Sequence, residues 1–221
     1  MKQKKLVRRI LQYALGLCTM AVGVVLLKRA NLGISPITAV PAAVSNIFNF
    51  EEPFTLGKTT TVLHILCVLG QIIIVRRITL KAILTTFVAF PFGWIIDLFM
   101  LIDPGPLSLP VRIVVLIIGL AVSGLGVLLI VDADLMLPAP DELTHTISQV
   151  YNKKLSNVKI ISDAIYVSIA FAVDLIFTHR ISTVGVGTVL SVLLVGRFIG
   201  WFDKLFPKLK MEPFWTPPVQ K

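Results

Sequence analysis

Asp134-Leu-Met-Leu-Pro-Ala-Pro-Asp-Glu-Leu-Thr-His-Thr-Ile-Ser-Gln149 is the stretch on which the reading of this chain turns. It lies between two long apolar runs, yet its acids, histidine and prolines make it too polar to face lipid. Irregular backbone survives at membrane depth only where protein or a water-filled cavity surrounds it, because each unsatisfied amide in hydrocarbon costs several kcal/mol. The stretch therefore reads as a half-helix entered through a proline turn, dipping into the bilayer and returning on the same side. A counterpart occurs earlier, where Asn31-Leu-Gly-Ile-Ser-Pro-Ile-Thr-Ala-Val-Pro41 opens a short apolar stretch ending near Phe50.

Around these two segments stand six apolar spans of near membrane-crossing length: Ile10 to Leu27, Thr59 to Val75, Leu80 to Leu101, Val111 to Val131, Val158 to Phe177 and Val184 to Phe202. Tight links, Arg76-Arg77-Ile78-Thr79 and His179-Arg180-Ile181-Ser182, join neighbouring helices. The proline-rich stretch 103–110 divides the chain into a first half, 1–102, and a second, 111–210, followed by a tail, 211–221, expected in the cytoplasm. All of this forms one membrane domain.

The halves resemble each other. Gly16, Gly23, Leu26, Ala30, Asn31 and Leu32 align with Gly119, Gly126, Leu129, Ala133, Asp134 and Leu135 at one constant offset, and the same offset sets Arg77-Ile78-Thr79 on Arg180-Ile181-Ser182. Three crossings per half is an odd number, so the second half lies upside down relative to the first. The expected fold is all-α and integral to the membrane, with about six transmembrane helices in two inverted three-helix repeats, each carrying a re-entrant or broken half-helix. Many secondary transporters share that architecture.

Charge supports the layout weakly. With the amino terminus inside, Arg76, Arg77, Lys81, Lys153, Lys154, Lys159, Lys204, Lys208 and Lys210 also lie inside, against Lys28, Arg29, Lys58, Arg112 and Arg180 outside. Eight helices in parallel halves would exchange only one net cation. The polarity of the second segment, rather than the charge count, favours six.

Composition sets the solvent. Of 221 residues, 56% are hydrophobic and 15% charged, and the mean hydropathy is +0.88. The long apolar stretches are apolar all round rather than on one stripe, so their surroundings are lipid. The net charge of +9 is spread over short segments between apolar runs and forms no face, which speaks against nucleic acid. Cys18 and Cys67 sit inside apolar runs as small buried hydrophobes. The basic amino terminus followed by Ile10 to Leu27 imitates a secretory signal, but it runs into Lys28 and Arg29 without a small-residue cleavage site, so it reads as a retained first helix.

Ala30-Asn-Leu-Gly-Ile-Ser-Pro36, Phe54-Thr-Leu-Gly-Lys-Thr59 and Gly185-Val-Gly-Thr-Val-Leu190 resemble the YczE/YyaS/YitT group of bacterial membrane proteins, and more closely its YczE branch. The likeness runs over nearly the whole chain. It implies a multi-pass protein of the bacterial cytoplasmic membrane with a duplicated core and both termini cytoplasmic. Where the branch usually shows Gly-Pro followed by Trp-Asp or similar, this chain has Ser35-Pro36-Ile37-Thr38 and lacks the acid. In the last helix Gly196-Arg197 replaces a common Gly-Pro.

Candidate site residues follow from the two segments. Half-helix amino ends expose unpaired N–H groups and a partial positive charge, which suit an anionic group. Asn31, Ser35 and Thr38 belong to the first such end; the two hydroxyls either bind solute or cap the helix. Asp134, Asp141, Glu142 and His145 belong to the second. Asp141 or Glu142 is either an N-cap or a proton or cation site, with His145 one turn on as a relay or a packing residue. Asp163 and Asp174 in the fifth span and Arg197 in the sixth share a hairpin. They are read either as a structural salt bridge or as an anion clamp with its release group. The glycines at 16, 23, 119, 124 and 126 suit close helix packing.

Phosphate loops, His-Glu-x-x-His and Gly-x-Ser-x-Gly are absent from the sequence, as is any acid cluster with metal spacing, so neither an enzyme, a metal nor a cofactor is expected. A secondary transporter for a small polar or anionic solute, coupled to protons or ions, accounts for the pattern best. The alternative is an accessory or substrate-binding subunit of a membrane complex. Lipid and a small solute are the expected partners, with a homodimer or an accessory subunit left open.

Overall fold

The structure, a computed structural model, describes residues 2–103 and 105–207, with side chains from Leu6 onward. The expected cytoplasmic tail, Lys208 and Lys210 lie outside the described residues. Eight α-helices follow one another: α1 Lys2–Ala30, α2 Pro36–Ile47, α3 Leu56–Val75, α4 Leu80–Met100, α5 Leu109–Ala133, α6 Ala139–Val150, α7 Leu155–Val173 and α8 Val186–Leu205. A π-helical turn, Asp174–Thr178, extends α7. No strand occurs among the described residues.

Six of these helices are long and apolar enough to cross a membrane: α1, α3, α4, α5, α7 with its π-turn, and α8. The fold is all-α and of multi-pass membrane type. The two short helices, α2 and α6, have 12 residues each. At 1.5 Å per residue that is about 18 Å, well short of a hydrocarbon layer of roughly 30 Å.

The centre of the molecule is the crossing of α1 and α5, helices that stand at equivalent places in the two halves. Their contacts are reciprocal. A Cβ on Gly23 would sit 2.7 Å from the Ser123 nitrogen, and one on Gly126 would sit 2.7 Å from the Met20 Cα, closer than real Cβ atoms approach. Gly16 meets Ile130 while Gly119 meets Leu27. At the ends, the Arg9 Nη1 donates to the Ala133 carbonyl at 2.9 Å and the Arg112 Nε to the Ala30 carbonyl at 2.7 Å. As the residue number rises along α1 its partner's number falls along α5, from Arg9 with Ala133 to Ala30 with Arg112, so the two helices run antiparallel. Each arginine satisfies a carbonyl at the other helix's carboxyl end, where a cation also complements the helix dipole.

The remaining packing exchanges elements between halves. α2 packs on α7 of the second half, and α6 packs on α3 of the first; α4 leans on α1 as α8 leans on α5. The halves differ at their outer hairpins. α3 and α4 pack closely where Gly57 meets Gly93 and Asp97, and the Asp97 carboxylate accepts from the Thr55 hydroxyl and the Gly57 N–H, each at 2.7 Å. α7 and α8 are instead lightly covered: 11% and 17% of their spanning windows are buried, against 44% and 50% for α1 and α5.

Two sites of substitution test this crossing. Gly23→Leu and Gly126→Leu each force helix backbones apart and should lower thermal stability in detergent by about 1–3 kcal/mol or more. Gly196→Leu and Gly200→Leu, where a side chain meets open space, should leave it unchanged. Equal tolerance at all four positions would contradict the crossing.

Candidate functional site

Helix α6 starts at a proline turn because Pro138 and Pro140 flank its first residue, Ala139. Pro140 has no N–H, so the donors exposed at this helix end are those of Ala139 and Asp141. Gln71 of α3 ties the turn down by donating to the Ala139 carbonyl at 3.0 Å. Neither Asp141 nor Glu142 caps the helix. Asp141 accepts from the Lys159 ammonium of α7 at 2.8 Å, and the same ammonium lies 3.0 Å from Asp163 one turn further along α7. Glu142 pairs through Oε1 with Lys81 of α4 at 2.8 Å. Its other oxygen, Oε2, is buried with no hydrogen-bond partner.

Above this turn lies a cavity of about 10 Å³, room for about one water molecule. Leu137, Pro138 and Ala139 form its floor, and Tyr13, His64, Thr85 and Phe92 are among its walls. Tyr13 is 5% exposed and His64 6%. His64 stacks on Phe92 with ring centroids 5.4 Å apart. Tyr13 lies within electrostatic reach of Glu142, and His64 within that of Asp141. Buried polar groups are normally paired, so the unpartnered Glu142 Oε2 at this helix amino end, with Tyr13 and His64 on the wall of the nearby cavity, marks a place suited to something polar. Beside it the Cys67 thiol touches the Tyr166 hydroxyl at 3.4 Å.

The other expected site residues lie elsewhere. The Ser35 and Thr38 hydroxyls bond each other rather than the backbone of the α2 start. That start is closed off by the beginning of α8: the Gly187 N–H donates to the Leu32 carbonyl at 2.7 Å and the Ile34 N–H to the Thr183 carbonyl at 3.1 Å. Gly33, at φ +104°, makes the turn possible. Asn31 offers its carbonyl to Arg112. Asp134 ends α5 in a left-handed conformation, φ 49°, and does not open α6. His145 is half-buried on α6, but the partner of Asp141 is Lys159.

The expected pairing of Arg197 with Asp163 or Asp174 is overturned. Arg197 is exposed on α8. Asp163 takes Lys159, and Asp174, fully buried, accepts at Oδ2 from the Ser182 and Thr183 N–H groups and the Thr183 hydroxyl, each at 2.8 Å. The loop between α7 and α8 consumes that carboxylate before any side chain on α8 can reach it.

The sequence by itself does not single out Tyr13, His64, Lys81, Lys159 or Tyr166 as site residues. Lys159 and Asp163 stand four apart, which was a legible helical pair. Nothing local marks Tyr13 or Lys81, whose partners come from the other half. At the same sequence offset Tyr13 and His64 correspond to the apolar Leu116 and Val167, whereas Thr85 corresponds to Thr188, so the tyrosine and histidine belong to the first half alone. Among the described residues no cluster of His, Cys, Asp or Glu could hold a metal ion.

Residues 7–204 match DUF6198, a family of unknown function. No curated protein and no solved structure matches the chain.

The Lys81–Glu142 pair is open to a double-mutant cycle. Lys81→Met should cost about 1–3 kcal/mol of stability, because it strands a buried carboxylate. Adding Glu142→Gln should cost less than the sum of the two single changes; strictly additive losses would show that the pair carries no coupling.

Proposed function

The chain belongs to that family of unknown function, and we propose that it is a secondary transporter which carries a small polar or anionic solute across the membrane. The observation that carries this reading is the α6 mouth: a short helix, unable to cross the bilayer, starts beside the buried, unpartnered Glu142 Oε2 and a small cavity walled by Tyr13 and His64, among helices of spanning length. Discontinuous helices of this kind present N–H groups and dipole to an anionic substrate group in secondary transporters.

The halves form an inverted repeat in this reading. Its support is the reciprocal, antiparallel contact of α1 with α5, together with three spanning-length helices per half. Both termini then lie on the cytoplasmic side, where Arg76 and Arg77 also fall. The likeness to the YczE group, noted from the sequence, agrees with this in kind.

Glu142 is the coupling group. One of its oxygens holds Lys81 and the other is buried without a hydrogen-bond partner. Around it stand Tyr13 of α1, His64 of α3, Lys81 of α4, Asp141 of α6, and Lys159 and Asp163 of α7. A cavity with room for about one water is a closed state, so solute enters only after the surrounding helices part.

The lightly covered α7–α8 side favours a second reading, an accessory or substrate-binding subunit that docks there. One experiment separates the two. Thermal stability of the purified chain is screened against anions, amino acids and organic cations, where a ligand at 100 times its dissociation constant adds about 2.7 kcal/mol. Any hit is then offered to liposomes containing the chain alone under an imposed pH gradient. The transporter reading predicts uptake that follows the gradient and is lost in Glu142→Gln. Binding without uptake supports the subunit reading, and neither binding nor uptake contradicts both.

A further inference from the structure

We propose that a crevice at the carboxyl end of α1 is a binding site for an anionic phospholipid, with an acyl chain lying in the crevice and the phosphate on Arg29. The crevice measures about 340 Å³, within the range of small-molecule sites. Val22, Val25 and Leu26 of α1, Phe99 of α4, Leu107 of the linker and Val115 of α5 line it, and apart from Arg29 the lining is apolar. From Val22 to Arg29 it follows α1 for about 10 Å, from the helix end towards the interior of the spanning segment.

Arg29 stands at its charged end with capacity to spare. Its Nη2 donates to the Met100 carbonyl at 2.6 Å and its Nη1 to Asp103 at 3.0 Å, while Nε is buried without a partner. Asp103 is 67% exposed on the linker, and so open an ion pair is worth little, leaving it replaceable by a phosphate. Arg29 is the charged residue of the lining: the neighbouring Lys28 ammonium is taken by the Asn46 side chain and the Phe50 ring, and Arg112 binds the Ala30 and Asn31 carbonyls. A cation with an unpartnered N–H at the mouth of an apolar crevice between spanning helices suits an anionic lipid headgroup. A small free anion has no use for the apolar walls, and a zwitterionic lipid gains less from the arginine. The repeat counterpart of Arg29 is Asp132, so the charge that makes this end suitable is not duplicated at the other.

The test uses the full chain in detergent, with thermal stability and native mass spectrometry read against dioleoyl phosphatidylglycerol, dioleoyl phosphatidylcholine and inorganic phosphate. Phosphatidylglycerol should half-saturate at about fivefold lower concentration than phosphatidylcholine, the contribution of one interfacial arginine. Arg29→Gln should erase that preference, and Val22→Trp, which fills the crevice while leaving Arg29 and Asp103 in place, should reduce retention of phosphatidylglycerol. Equal binding of the two lipids by the parent would overturn the proposal, as would a preference surviving in Arg29→Gln. Inorganic phosphate stabilising as well as phosphatidylglycerol would assign Arg29 to a free anion and overturn it too. If Arg29→Gln does not fold, undiminished lipid retention in Val22→Trp would be decisive against the crevice.

Discussion

Everything in this molecule hangs on the close antiparallel crossing of α1 and α5. Between helices in lipid no hydrophobic effect drives association, so backbones must come near enough for dense van der Waals contact, and small residues at the crossing allow that. Gly23 against Ser123 and Gly126 against Met20 provide the approach, and the arginines at 9 and 112 lock the two ends by binding carbonyls of the opposite helix. Once that axis exists, the short helices have one place to go. Each crosses over to the other half, α2 onto α7 and α6 onto α3, so neither half completes its own packing.

A second constraint is that polar atoms at membrane depth need partners. Most of this chain obeys it by local means. Threonines at 59, 60, 61, 85 and 86 return their hydroxyls to carbonyls three or four residues back, Asp97 caps α3, and Asp174 closes the loop before α8. Against that background the α6 mouth stands apart. Its carboxylates are held by lysines from two other helices, Glu142 Oε2 is buried without a partner, and Tyr13 and His64 line a space too small for more than a water.

The layout was legible because its signals are long or repeated. Six apolar runs, tight basic links and a constant offset between halves need no partner to be recognised. Asp141 and Glu142 were also legible, since acids in the first turn of a short helix between apolar runs have few places to go. What escaped were pairings between elements far apart in the chain. Lys81 looked like an interfacial cation, and Tyr13 like any aromatic in a span; each becomes part of a site only when α6 folds back against the first half. The Asp–Arg pair expected within the last hairpin failed for a related reason. Asp174 lies where a π-turn hands the chain to Ser182 and Thr183, and backbone N–H groups a few residues away outcompete a guanidinium further along the next helix.

The most direct test of the account is the sidedness of access to the cavity. A single cysteine at Thr85, in a chain with Cys18 and Cys67 replaced by alanine, would be challenged in sealed vesicles with a membrane-impermeant thiol reagent from each side in turn. Alternating access around the α6 mouth predicts labelling from both sides, with a bound solute or an imposed pH gradient shifting the balance between them. Labelling from one side only, indifferent to solute and gradient, would contradict the transporter and leave a binding subunit in its place.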